Sequence, residues 1–401
     1  MSRALRTILS IVRRRARLAT LMSGLLALAA CASGNDIFGT SPPPAVQPPQ
    51  AQAPAANQVK VALILPLSAS GNAGFAAASM KNAAEMALQE FNAPNIQLVV
   101  KDDFGTPSGA QQAAQQALDE GAEIILGPLF AQSVQAAAQV TRPRNVPMIA
   151  FSTDASVAAR GVYLLSFLPE SDVNRVINHA IQNGKRSFVA MMPDNAYGSV
   201  VEAALQQAVS RRGGRVVGLE RYPLPPDKLK MQDPAKLIAQ SSAQADALFV
   251  PDGADAVPLV VQTLGSQGMT RRLQLLGTGL WDDPRIFADS SLQGAWYAAP
   301  DSAGYNAFAG RYKSKYGQDP VRTATLAYDA TALVAALVKT QGGARFTDDV
   351  LTNASGFAGI DGIFRFRQDG TNERGLAILK VTPGGGQVVS PAPKSFGGSG
   401  T

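Results

Sequence analysis

Three hydroxyl side chains carry the first chemical signal in this chain. Ser152 and Thr153 close the apolar run 146–151, and Ser133 follows the run 124–126 and its Gly127-Pro128 break, near the start of a helical pattern. Hydroxyls at strand ends and unpaired backbone N–H groups at a helix start favour an anionic group such as a carboxylate. In open parallel sheets a ligand sits outside the carboxyl ends of the strands, which is where both stretches stop. The remaining residue types argue against bond-making chemistry. Serine catalysis needs a base, and the single histidine, His179, lies in the polar helical stretch VNRVINHAIQNG, where it reads as a surface residue. One histidine and one cysteine, Cys31, supply neither a His/Cys metal cluster nor an internal disulfide. There is no GxxxxGK[ST] phosphate loop and no GxGxxG after a strand. The neighbouring pairs Asp102/Asp103, Asp282/Asp283 and Asp348/Asp349 do not face one another and read as caps and turns. A non-enzymatic chain with no cofactor and no metal is expected.

The elements that must position these hydroxyls follow from periodicity. Residues 123–153 read strand, turn, helix, strand, the unit that joins parallel strands. The run VKVALIL, stopped by Pro66, suits a strand buried on both faces. Met80, Ala83, Ala84, Ala87, Leu88 and Phe91 then recur at helical spacing. Thr106 and Pro107 mark a helix start after the strand 96–100. Beyond LLSFLP at 164–169 a second series begins, with strands at 188–192, 216–219, 247–250, 273–277 and 295–299 alternating with helical patterns. Two such series predict an α/β fold of two doubly wound parallel-sheet lobes. Helices at 303–316 and 323–339 and strands at 363–366 and 376–381 complete it, with residues 383–401 expected to be a flexible tail.

The amino terminus has a different character. Residues 1–30 hold six arginines and no acid, leaving 30 basic and 30 acidic residues in the remainder, a balance that argues against nucleic acid. A basic start, an apolar run over 18–30 and small residues after it have the layout of an export signal. Leu28, Ala29, Ala30 and Cys31 resemble the lipobox of bacterial lipoproteins, which implies lipidation of Cys31 and a membrane anchor. Ala32 stands where lipoproteins retained at the inner membrane usually carry Asp, so the resemblance implies the outer membrane and a periplasmic body. The Pro-, Ala- and Gln-rich stretch up to residue 58 reads as a tether; at about 3.1 Å per residue it reaches roughly 80 Å.

In their order and spacing, VALILPLSASG, VVKDDFGTP, EIILGP, VPMIAFST and MPDNAYG resemble the type I periplasmic binding proteins, specifically the branched-chain amino-acid (Leu/Ile/Val) group, over residues 59–382. The resemblance implies a lobe one of residues 59–168 plus 300–345, a lobe two of 169–299 plus 346–382, three crossover segments, and a small-molecule ligand in the cleft between the lobes. Carried over by position, Ser133, Ser152 and Thr153 would hold an α-carboxylate and Tyr197 would line the cleft. The family's acid and Tyr for the α-ammonium fall in loops that read Pro251, Asp252, Gly253 and Thr278, Gly279, Leu280, Trp281. Asp252 can substitute for the acid and Trp281 is the aromatic candidate, while the usual Glu and Tyr are absent. An ABC permease is the implied partner. The same motifs are also similar to lipoprotein activators of penicillin-binding proteins, for which the tether and outer-membrane anchor are apt and the partner is a cell-wall synthase.

Overall fold

A computed structural model describes residues 58–269 and 273–396. The predicted signal, Cys31 and the tether up to residue 57 lie outside the described residues, as do the last five of the predicted tail. Among the described residues no helix is long and apolar enough to cross a membrane.

Lobe one opens with β1 (Val59–Leu65), α1 (Asn72–Glu90), β2 (Ile96–Asp102), α2 (Pro107–Asp119), β3 (Ile124–Leu126), α3 (Ala131–Thr141), β4 (Met148–Ala150) and β5 (Val162–Leu164). Its sheet is parallel, in the order β2-β1-β3-β4-β5. The central strands are apolar apart from Lys60 near the start of β1, because helices cover both faces. Thr106 caps α2 by accepting from the Gly109 N–H, with Pro107 in the first turn, as the sequence indicates. Gly127 bends the chain away from β3 at φ 96°, and a Cβ there would lie 2.0 Å from the Ile64 carbonyl, so only glycine fits.

Lobe two follows with α4 (Pro169–Gln182), β6 (Ser187–Pro193), α5 (Ala196–Arg211), β7 (Arg215–Tyr222), α6 (Gln232–Ser241), β8 (Ala247–Phe249), α7 (Val257–Ser266), β9 (Gln274–Gly277), α8 (Pro284–Ala288) and β10 (Trp296–Ala299). The chain then returns to lobe one. There α9 (Ser302–Tyr316) and α10 (Ala324–Thr340) pack on α1, with Phe308, Tyr312 and Tyr328 among the Ala83 and Ala87 side chains.

Four elements follow that depart from the expected boundary near residue 345: α11 (Asp348–Leu351) and the strands β11 (Phe357–Gly359), β12 (Gly362–Phe366) and β13 (Asn372–Arg374). The strands form an antiparallel sheet of their own whose Phe364 and Phe366 are buried in the lobe-one core with Val61, Leu63 and Ile149. Residues 346–374 therefore belong to lobe one rather than lobe two. The reason is the period-two aromatic face of β12, which finds its apolar cover against β1 and α10. The Tyr163 hydroxyl donates to Asp348 at 2.6 Å, fixing α11 to β5. The third crossing falls at 374–377, after which β14 (Ala377–Thr382) pairs antiparallel with β10. The tail is also shorter than expected, because β15 (Gly385–Ser390) pairs with β14 at the edge of the lobe-two sheet, ordered β15-β14-β10-β9-β8-β6-β7.

Candidate functional site

The first two crossings leave the carboxyl ends of β5 and β10, so the carboxyl edges of the two sheets are the edges tied together. Loops from those edges therefore border the space between the lobes.

On the lobe-one edge, α3 starts at Phe130 with no side-chain cap, leaving the N–H groups of its first turn for another acceptor. The Ser133 hydroxyl is buried without a hydrogen-bond partner. It stands close to Asp103, a fully buried carboxyl that accepts from the Gly105 N–H at 2.8 Å through one oxygen and leaves the other unpaired. Burial raises the Asp103 pKa, aided by the Asp102 charge and opposed by the Gly105 N–H and the Ser133 hydroxyl. Ser152 is also buried; its Oγ accepts from the Asp154 N–H at 3.1 Å and shapes the turn after β4. Thr153, the next residue, is exposed. The structure thus brings the three expected residues to one edge. Thr153 is exposed and the α3 start is uncapped, whereas both serines are buried, Ser152 engaged with Asp154 and Ser133 unpartnered beside Asp103.

On the lobe-two edge, Tyr197 in the first turn of α5 reaches the Thr278 hydroxyl at 3.3 Å. Burial pushes its pKa up, and the charges of Asp172 and Asp252 add to the rise while Thr278 opposes it. Asp252 accepts from the Tyr222 hydroxyl, and from the Gly253 N–H at 2.7 Å. Trp281 does not join this group. It is fully buried in the lobe-two core and donates through Nε1 to the Val250 carbonyl at 3.0 Å, with its ring against Gly277 where a Cβ would lie 2.3 Å away. Its indole seals the back of the β8 and β9 strand ends, and the neighbouring Leu280 takes the exposed place.

The expected list omits Asp172, in the first turn of α4. It accepts from the Gly279 N–H at 2.8 Å, so it joins the α4 start to the loop after β9. Its pKa is pushed up to about 7, chiefly by burial and a little by Glu170, against the Gly279 N–H and the Arg374 charge. The signal that points to it is the acidic first turn, PESD, directly after the LLSFLP exit.

The hinge between the edges is charged. The Phe167 ring lies between the guanidinium groups of Arg322 and Arg374, each 4.7 Å from its centroid. Arg374 Nε and Asn372 Nδ2 both donate to the Ser166 carbonyl, at 3.0 and 2.8 Å, binding the first crossing to the third. Arg322 forks onto the buried Asp361 at 2.6 and 2.8 Å. Asp329 of α10 accepts from the Ile360 N–H at 2.8 Å, and burial pushes its pKa up to about 7. On α4, His179 stands edge-on to Trp296 of β10, the ring centroids 4.8 Å apart, beside Asn183. No group of three or more potential metal ligands exists among the described residues.

Residues 58–387 match the family model for the periplasmic binding proteins. The structure is similar to a protein from Rhodospirillum rubrum assigned to branched-chain amino acid ABC transport, at 20% identity and a TM-score of 0.73, covering 82% of this chain and 99% of that one. It is similar also to a leucine binding protein from Thermotoga maritima, at 19% identity and a TM-score of 0.57, covering 83% and 98%. At these identities the likeness establishes the fold. Among curated sequences, the penicillin-binding protein activator LpoA of Pantoea ananatis is 29% identical over 131 residues, 32% of this chain and 19% of that protein. The chain spans about a fifth of the length of the curated relatives it matches.

Proposed function

Because the chain belongs to the periplasmic binding protein family, we propose that it captures a small zwitterionic ligand of the amino-acid class between its lobes and delivers it to an ABC permease. The observation that carries this reading is the opposite polarity of the two cleft edges. Lobe one offers the uncapped α3 start and Thr153 to an anionic group. Lobe two offers the carboxyls of Asp172 and Asp252 beside Tyr197 to a cationic one. Ser133, Ser152 and Asp103 support the lobe-one loops from within, and Asp252 is held in place by Tyr222. Closure by rotation at the hinge would desolvate both ends of the ligand together. Lipidation at Cys31 would keep the protein at the membrane, with the tether giving it reach.

The family model and the transport-type structural relatives support this reading, and the partial likeness to LpoA supports a second one. In that reading the chain docks on a penicillin-binding protein from an outer-membrane anchor and the cleft need hold no solute.

The test is thermal unfolding of the full-length protein, freed of endogenous ligand by unfolding and refolding, against a panel of amino acids and cell-wall fragments. A ligand at about a thousand times its dissociation constant adds roughly 4 kcal/mol, visible as a raised midpoint. Asp172→Asn should weaken an amino acid roughly tenfold or more, through loss of a charge-assisted contact worth about 1.5–3 kcal/mol. A cooperative transition that no compound moves would refute solute capture and favour the synthase partner.

A further inference from the structure

We propose that the protein has a second ligand site, apart from the cleft, in which an arginine-lined pocket beside the hinge holds a small polyanion that also bears hydroxyl or amide N–H groups. The cavity is about 720 Å³, within the size range of small-molecule sites. Its walls are α4 and the end of α5 from lobe two, the β12–β13 hairpin from lobe one, and the segment after β15. Neither the hydroxyl residues of lobe one nor Tyr197, Asp172 or Asp252 lines it.

Six arginines line the cavity: Arg175, Arg211, Arg212, Arg365, Arg367 and Arg374. They face three carboxylates, Glu170, Asp369 and Glu373. Most of these charges are already committed. Glu373 takes Arg365 at 2.8 Å and Arg367 at 3.3 Å. Asp369 accepts from the backbone and hydroxyl of Thr371 in its own turn. Arg175 donates to the Leu376 carbonyl and the Ser390 hydroxyl.

Three cations and two acceptors remain. Arg211 and Arg212 are exposed at the end of α5 and form no ion pair among the described residues. Arg374 is 5% exposed and neither of its terminal nitrogens has a partner. The Phe167 and Phe364 rings lie 4.7 and 5.8 Å from its guanidinium carbon, and its buried terminal N–H groups are left without an acceptor at the cavity wall. Glu170 Oε2 and Asn372 Oδ1 are buried without partners too. Buried polar atoms left unpaired are costly and rare in native proteins. Anionic groups on the arginines and N–H or O–H donors toward Glu170 and Asn372 would satisfy the whole set. A hydroxylated polycarboxylate and a phosphate ester share that chemistry.

Calorimetric titration of the full-length protein with citrate and with inorganic pyrophosphate, each against sodium chloride of matched ionic strength, tests the site. Saturable binding of at least one is expected, citrate alone marking a carboxylate site, pyrophosphate alone a phosphate site, and both a general polyanion site. The double variant Arg211→Gln/Arg212→Gln, which changes exposed side chains and should melt where the parent does, is expected to bind roughly tenfold more weakly. No saturable heat with either probe, or equal affinity in parent and variant, overturns the proposal.

Discussion

Replacing Asp329 by Asn should reverse its effect on stability between acid and alkaline pH. Asp329 is 2% exposed and its pKa stands at about 7 against an ordinary 3.8, first because of burial. The Ile360 N–H and the Arg374 and Arg322 charges pull it down, and the Asp361 charge pushes it up. A carboxyl raised in this way binds more protons folded than unfolded between about pH 4 and pH 7. Stability therefore falls as the pH rises through that window, and the cost is complete above about pH 7. About three pKa units at ~1.36 kcal/mol each give ~4 kcal/mol. Asn keeps an acceptor for Ile360 but sets two unpartnered amide N–H donors near the Arg374 and Arg322 charges in place of a single unpartnered oxygen, costing about 1–3 kcal/mol at every pH. The variant should then be more stable than the parent by roughly 1–3 kcal/mol at about pH 8.5, and less stable by a similar amount at about pH 4.5. Urea unfolding of the full-length protein by circular dichroism at the two pH values measures the swing, and other titrating groups cancel in the difference between the two proteins. A variant equally destabilised at both pH values would show that Asp329 is not held protonated by burial.

Two further substitutions probe the parts of the fold that hold the cleft. Phe364→Ala removes a fully buried ring that packs 5.7 Å from Phe366 and 5.8 Å from Phe357, and should cost about 3–5 kcal/mol in urea unfolding; a loss below about 1 kcal/mol would mean the β11–β13 sheet is not part of the lobe-one core. Arg322→Met strands the buried Asp361 carboxylate, so a loss of about 3–5 kcal/mol at neutral pH is expected. A loss below about 1 kcal/mol would mean that the Thr325 hydroxyl, which donates to Asp361 at 2.6 Å, supports the carboxylate without Arg322.

Much of the fold was legible in local pattern. Apolar runs marked the strands of both sheets, Thr106-Pro107 marked the α2 start, and Gly127-Pro128 marked the turn that carries Ser133 to the cleft edge. The residues 346–374 were not legible in this way. Period-two burial of Phe364 and Phe366 shows that β12 has one apolar face, but either lobe could have covered it. Trp281 failed for the same reason: a strand-end aromatic can turn toward the cleft or back into the core, and the space beside Gly277 decided it.

What the sequence determined by itself is the alternation of strands and helices, the two lobes, and the residues at the carboxyl edges of their sheets, because periodicity and breakers act over a few residues. Only tertiary structure decided which groups meet at those edges and at the hinge between them. Asp172 depends on Gly279, Asp329 on Ile360, and Phe167 on both Arg322 and Arg374, partners drawn from separate crossings of the hinge. Desolvation and pairing set the charge and direction of these side chains, and both depend on neighbours that the chain brings close only when it folds.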